Sequence, residues 1–176
     1  MGRAATIDVA TRVLAHATVL MVCLGVAHAR QFDYIERIDP ITDADQSMVV
    51  VYSEDLVEAW LRNQDADGGV LAVHCDGEGG FGYFFRYTEA IKHEYPLAVW
   101  FTYRFDGDEP VRARWSLGAT LTGAVGPDHL AEAFVERLRL SNRFVTRFET
   151  RSGQEITLVF NTTGMSMYLD ALSCLR

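Results

Sequence analysis

The run Val70-Leu71-Ala72-Val73-His74-Cys75 is the part of this chain around which the other segments can be arranged. It is short, apolar and rich in valine, and the glycine-rich segment 76–82 follows it. This is the pattern of a buried strand that ends in a turn. A second cysteine, Cys174, lies close to the C-terminus. We therefore expect a central strand and the end of the chain to lie side by side.

The first 29 residues have the composition of a secretory signal peptide. Two arginines and the apolar run 13–26 precede Ala27-His28-Ala29, which is a small-x-small cleavage site. The alternative is a transmembrane anchor, but His16 interrupts the run, which is shorter than the ~20 apolar residues that cross a bilayer. We predict a signal peptide at 1–29 and a single exported β-rich domain at 30–176. That domain would be periplasmic or secreted, with no stable membrane insertion after cleavage.

The predicted exported part is long enough for one domain with its own core, and it is acidic. Removal of the leader takes away two arginines and one aspartate, which moves the formal net charge from −8 to −9. Lys92 is the single lysine in the sequence. Nucleic-acid binding needs clustered basic residues that neutralise phosphates, so this composition argues against a nucleic-acid partner.

Two cysteines stay in the exported part, Cys75 and Cys174, because Cys23 leaves with the leader. Cysteine pairs persist as disulfides in an oxidising compartment, so we predict that these two residues are bonded. The alternative is a metal site built from both cysteines and the histidines of the chain. No C-x-x-C or H-x-x-x-H spacing supports it, and adjacent residues of a strand point to opposite faces. We expect no metal and no cofactor.

Most of the mature chain consists of short segments with the alternation of strands. Residues 97–105 and 111–117 are the clearest pair, with apolar side chains at every second position and a polar turn between them. A helical period is present at 127–142 and again from Gly164, and 53–62 fits a short helix better than a strand and loop. We predict an α+β fold that is mainly antiparallel β. It would have about seven strands in a sandwich-like arrangement and two packed helices near the C-terminus.

Three arginines lie on the polar side of the strand pair 97–105 and 111–117. Arg104, Arg112 and Arg114 would form a basic stripe on an acidic protein, which suits an acidic partner. The alternative is that they make ordinary cross-strand ion pairs with Asp and Glu. We favour the ion pairs as the more ordinary arrangement, and we keep the three arginines as candidate binding residues.

The glycine-rich segment 76–82 contains G-x-G-x-x-G, but no helix follows it, as a dinucleotide site would require. A hairpin turn is the better interpretation. The aromatic residues after this turn are candidates for ligand contact: Tyr83, Phe84 and Tyr87. They define an alternative function, an envelope inhibitor or ligand-binding module, which an exposed apolar patch beside the turn would favour.

No arrangement of residues in the sequence indicates catalysis. There is no G-x-S-x-G, H-E-x-x-H or P-loop motif. The histidines of the mature chain are scattered, at His74, His93 and His129. Asp39 and Asp43 have the chemistry of a sugar-hydrolase pair, but their spacing in a loop fixes no separation. We predict that the protein is not an enzyme. A periplasmic hydrolase is the weaker alternative, and it would need these groups to converge in a cleft.

Several pieces of the chain follow a recognisable order. They are an Asp-Pro-x-x-Asp turn, a strand ending in cysteine, Tyr-Arg-Phe-Asp before a tryptophan strand, a helix, two strands and a closing Gly-helix-Cys. In this sequence the pieces lie at 39–43, 71–75, 103–106 with Trp115, 134–138, 157–160 for the strands, and 164–174. This order resembles the VasI/TagO-like family of exported proteins associated with type VI secretion. The resemblance implies a periplasmic accessory protein without known catalysis that contacts other envelope proteins, such as secretion-system components. It implies no active-site residues.

Overall fold

The computed structural model describes residues 31–62, 67–94 and 97–176. These residues contain nine strands and three α-helices. The strands are β1 (Phe32–Ile35), β2 (Met48–Tyr52), β3 (Gly69–Cys75), β4 (Phe81–Tyr87), β5 (Ala98–Phe105), β6 (Val111–Leu117), β7 (Gly123–Val125), β8 (Arg143–Glu149) and β9 (Glu155–Asn161). The helices are α1 (Glu54–Leu61), α2 (Asp128–Leu140) and α3 (Met165–Leu169), and a 3-10 turn follows at Ser173–Leu175. The predicted signal peptide at 1–29 lies outside the described residues.

All nine strands belong to one sheet, in the order β1-β2-β3-β4-β7-β6-β5-β8-β9, and every neighbouring pair is antiparallel. The α+β class with mainly antiparallel strands is therefore confirmed. The predicted count of about seven strands is too low, and one continuous sheet takes the place of the predicted sandwich-like arrangement. The strand β7 has only three residues, which is too few to show alternation in the sequence, yet it joins β4 to β6.

The sheet is strongly curved, and its concave side holds an aromatic core. The ring of Phe85 in β4 lies 5.2 Å from that of Phe148 in β8, measured between centroids. In a flat sheet with ~4.8 Å between neighbouring strands, the four steps from β4 to β8 would separate these residues by roughly 19 Å. Strand β9 also comes close to β3, because a Cβ on Gly69 would lie 2.3 Å from Cδ1 of Leu158. A side chain at position 69 would therefore force Leu158 or Phe85 to move.

Helix α2 packs over the concave side of the sheet. Phe134 of this helix is buried, and its ring stacks on Tyr83 at 4.1 Å and lies 5.5 Å from Tyr103. Leu138, one turn further along, is fully buried. The predicted helix at 127–142 is confirmed within two residues at each end, and the preferred helical interpretation of 53–62 is confirmed by α1.

The C-terminal helix is shorter than the periodicity predicts. It ends at Leu169, and Leu172 adopts an extended backbone before the final 3-10 turn. This change of direction keeps Met165, Leu169 and Leu172 fully buried in one cluster. The tail then reaches the end of β3, where Cys174 is bonded to Cys75 with 5.7 Å between their Cα atoms. The structure thus has the predicted disulfide and the predicted proximity of the central strand to the chain end.

Candidate functional site

An arginine-rich surface covers the convex side of β5, β6 and β8. Successive residues of a strand point to opposite sides, so the core residues of these strands alternate with outward ones. Five of the outward residues are exposed arginines, which we call the arginine face: Arg104, Arg112, Arg114, Arg143 and Arg147. The first three are the residues that the sequence predicts for a basic stripe. Their placement on one surface is therefore as expected.

Strand pairing aligns part of this face in a straight row. Thr102 of β5 is opposite Arg112 of β6 on one side and opposite Arg147 of β8 on the other. Arg147 is in turn opposite Thr157 of β9. Because neighbouring strands are ~4.8 Å apart, the threonine hydroxyl lies between two guanidinium-bearing strands. Two arginines that are distant in sequence thus flank one residue.

The arginines of the predicted stripe have no carboxylate partner within the described part of the chain. Their cross-strand neighbours are Val145 for Arg104, Thr102 for Arg112 and Trp100 for Arg114. The ion pairs present among the described residues involve other cations: Arg62, Lys92, Arg137, Arg139 and Arg147. The alternative of ordinary cross-strand pairs with Asp and Glu is therefore wrong for these three residues.

Trp100 and two of the arginines are held by specific contacts. The guanidinium of Arg112 lies over the indole ring of Trp100, 4.6 Å from the ring centroid, in a cation–π contact. The indole Nε1 donates to Glu94 Oε2 at 3.3 Å, and 38% of Trp100 is exposed. Arg147 Nε donates to Thr157 Oγ1 at 3.2 Å and lies 3.5 Å from Glu155 Oε1. These contacts orient the side chains while their outer surfaces stay accessible.

Two shallow depressions lie on the face and share Thr102 and Arg147. One has a volume of about 500 Å³ and includes Trp100 and Arg112, with Lys92, Glu94, Glu149 and Glu155 around it. The other has a volume of about 440 Å³ and is lined by arginine and valine side chains, among them Arg104, Arg143, Val145 and Val159. The face therefore combines spaced positive charges with apolar and aromatic surface, and carboxylates border one end of it.

The aromatic residues after the glycine-rich turn are divided between the two sides of β4. The turn itself is confirmed, since β3 and β4 form a hairpin through 76–80. Tyr83 and Tyr87 are only 1% and 5% exposed, and burial raises the pKa of both phenols. Phe84 points to the convex side, where its ring lies 5.7 Å from that of His74. The prediction that all three contact a ligand is corrected: two of them are core residues.

The residues considered for catalysis do not converge. His74 and His93 line different depressions, one beside Met48 and Phe84 and the other beside Trp100. Asp39 is a turn residue whose carboxylate accepts the backbone N–H groups of Ile41 at 2.8 Å and Thr42 at 2.9 Å. These bonds lower the pKa of Asp39, which is the opposite of what a general acid needs.

The described part of the chain contains neither a cluster of metal ligands nor a membrane-spanning helix. No group of three or more His, Cys, Asp or Glu side chains in ranges 31–62, 67–94 and 97–176 is arranged to hold a metal ion. No helix in those ranges is long and apolar enough to cross a membrane. Comparison of the chain with models of known protein families, with curated proteins and with solved structures finds no match in any of the three.

Four residues of this surface were missed as site residues by sequence reasoning: Trp100, Thr102, Arg143 and Arg147. Their outward positions in alternating strands were visible in the sequence. What was not visible is that β8 pairs with β5, because the 37 residues 106–142 separate the two strands and no local pattern specifies that pairing.

Proposed function

We propose that this protein is a non-catalytic accessory protein of the cell envelope that acts through protein contacts, and that the arginine face is its contact surface. One observation carries the proposal: exposed arginines are concentrated on one side of an acidic chain, and four of the five have no carboxylate partner among the described residues, namely Arg104, Arg112, Arg114 and Arg143. Charges that are not used within a protein remain available to a partner of opposite charge.

The composition of the face also suits protein recognition. Arginine and tryptophan are enriched among the residues that dominate binding energy at protein interfaces. Here Trp100 and Arg112 are stacked on each other, so part of their side-chain freedom is already lost before a partner binds. Around them, the acidic remainder of the molecule disfavours unspecific contact with other acidic proteins.

A non-catalytic role is supported by the kind of groups whose pKa is shifted. Backbone N–H groups lower the pKa of Asp39, and the Ser173 hydroxyl lowers the pKa of Asp45. Burial raises the pKa of Tyr83, Tyr87 and Tyr103. Asp39 and Asp45 hold a turn and the chain end in place, and the three tyrosines belong to the core. None of these groups therefore has the environment of an acid or base that faces a substrate.

An exported location rests on two features. The leader at 1–29 has the composition of a signal peptide, and the bonded pair Cys75 and Cys174 suits an oxidising compartment. The proposed association with type VI secretion rests on the resemblance in the order of short sequence pieces. Secretion-system components are accordingly the first partners to look for.

Site-specific photo-crosslinking tests the proposal. A photoreactive residue at Val145, in the centre of the arginine face, is compared with one at the exposed Glu132 of α2. We expect crosslinks to one envelope protein from position 145 and not from position 132. Recovery of a single hydrolase in equal amounts would favour the inhibitor function instead. Equal crosslinking from both positions, or substrate turnover by the purified protein, would contradict the proposal.

A further inference from the structure

We infer that the arginine face binds an extended acidic segment of a partner polypeptide, with carboxylates at alternate positions. The inference rests on the proposed function and adds the class of partner and the atoms that anchor it. Arg112, Thr102 and Arg147 form a cradle for one carboxylate of that segment, and Trp100 contacts the chain beside it.

The cradle follows from the register of three strands. Arg112 and Arg147 are both directly opposite Thr102, so their backbones lie on either side of it at ~4.8 Å each. Both contacts of Arg147, with Thr157 and with Glu155, are made through Nε, which leaves its terminal nitrogens as donors. Arg112 is oriented by Trp100. A carboxylate placed over Thr102 can accept N–H groups from both sides and the hydroxyl proton in the middle. Hydrogen bonds of this charge-assisted kind are the strong ones.

The spacing of the other arginines matches an extended peptide. Arg112 and Arg114 are two residues apart on one strand and point to the same side, so their Cα atoms are ~6.8 Å apart. Alternate side chains of an extended peptide have the same period. Acidic residues at positions i and i+2 of a segment that runs along β6 therefore meet both arginines. The segment's backbone then passes Trp100, which is opposite Arg114.

A continuous anionic surface fits this site less well than spaced carboxylates do. Glu94, Glu149 and Glu155 border the depression that contains Trp100, and they would repel a densely charged membrane surface. Between the arginines, the face carries Val145 and Val159, which gain nothing from an inorganic anion. The alternation of charged and apolar positions is what an acidic polypeptide offers and what phosphate or a lipid layer does not.

Calorimetric titration of the mature protein at low ionic strength tests the inference. The probes are a capped hexapeptide of alternating Glu and Thr, a peptide of the same composition with its three Glu in a block, inorganic phosphate, and vesicles that contain phosphatidylglycerol. We expect the alternating peptide to bind about tenfold more tightly than the block peptide. Thr102→Val and Arg147→Gln should each weaken it about tenfold, as expected for the loss of a charge-assisted hydrogen bond.

Arg86→Gln is the matched control, because Arg86 is an exposed arginine on the convex side of β4 outside the face. It should change the affinity by less than about twofold, which is within the range of a surface substitution. Equal affinity for the two peptides, unchanged binding by Thr102→Val, or preference for phosphate or vesicles would overturn the inference. If a partner crosslinks at Val145 but the alternating peptide does not bind, this inference alone is refuted. If no partner crosslinks at Val145 and the alternating peptide does not bind, the proposed function is refuted as well.

Discussion

Loss of the disulfide should destabilise the protein strongly without changing its fold. The bond joins Cys75 to Cys174 and closes a loop with a sequence separation of 99 residues. Loop-closure entropy for that length is about 16 cal/mol/K, which corresponds to about 4.7 kcal/mol at 25 °C. The tail has its own contacts in the core, since Met165, Leu169 and Leu172 are fully buried. The reduced chain should therefore fold to the same structure with a lower free energy of unfolding.

The test compares the mature wild-type protein with the double variant Cys75→Ala/Cys174→Ala by urea denaturation and thermal unfolding. With an unfolding entropy of about 2.1 cal/mol/K per residue for 30–176, the Tm should fall by about 15 °C. The far-ultraviolet circular dichroism spectra of the two proteins should be the same at a temperature about 20 °C lower than the Tm of the less stable one. A difference in unfolding free energy below about 1 kcal/mol would refute the reasoning. So would two free thiols detected by alkylation and mass measurement in the exported wild-type protein.

Two further predictions concern the buried tyrosines of the core. Gly126→Ala should lower the unfolding free energy measured by urea denaturation by about 1–3 kcal/mol. The reason is that the added Cβ would lie 2.0 Å from the buried ring of Tyr83. Gly107→Ala is the control and should have little effect, because the space around Gly107 is open. Burial raises the pKa of Tyr83 and Tyr103. The part of the unfolding free energy that depends on keeping these two phenols neutral is therefore present below the unfolded pKa of ~10, and it is lost as pH rises through the higher folded pKa values. Spectrophotometric titration should accordingly detect tyrosines that ionise only as the protein unfolds, and normal titration of every tyrosine in the folded protein would contradict it.

Local patterns in the sequence were sufficient for much of the fold. Alternation in β5 and β6 predicted both their pairing and which of their residues face the core, and the glycine-rich turn predicted the β3–β4 hairpin. The pairing of Cys75 with Cys174 was also predictable, because the expected leader removes the third cysteine. Each of these features depends on neighbouring residues or on a choice among very few residues.

Features that depend on distant pairing were not predictable in the same way. Strand order places β7 between β4 and β6 and β8 beside β5, and no short-range signal specifies either position. The single curved sheet follows from that order, as does the row of Arg112, Thr102 and Arg147. The final helix was predicted too long because its apolar period continues past Leu169, although the backbone extends at Leu172 to bury that side chain.

The aromatic residues of β4 illustrate a limit of alternation itself. A period of two separates Tyr83, Phe85 and Tyr87 from Phe84 and Arg86, but it does not say which set is buried. Only the packing of α2 and β8 against the first set decides this, through contacts such as the stacked rings of Tyr83 and Phe134. For that reason the sequence predicted ligand contacts for Tyr83, Phe84 and Tyr87 alike. In the structure only Phe84 of these three lies on the outer side of the sheet.

The most direct test of the contact function is the effect of charge reversal on the affinity for the partner that crosslinks at Val145. The mature protein, Arg112→Glu/Arg147→Glu and the control Arg86→Glu are compared by calorimetry at fixed salt. The double variant should bind at least about a hundredfold more weakly, since two charge-assisted contacts are replaced by repulsion. The control should stay within about threefold, as befits a charge outside the face. Equal affinity of the double variant and the wild-type protein would contradict the assignment of the arginine face as the contact surface.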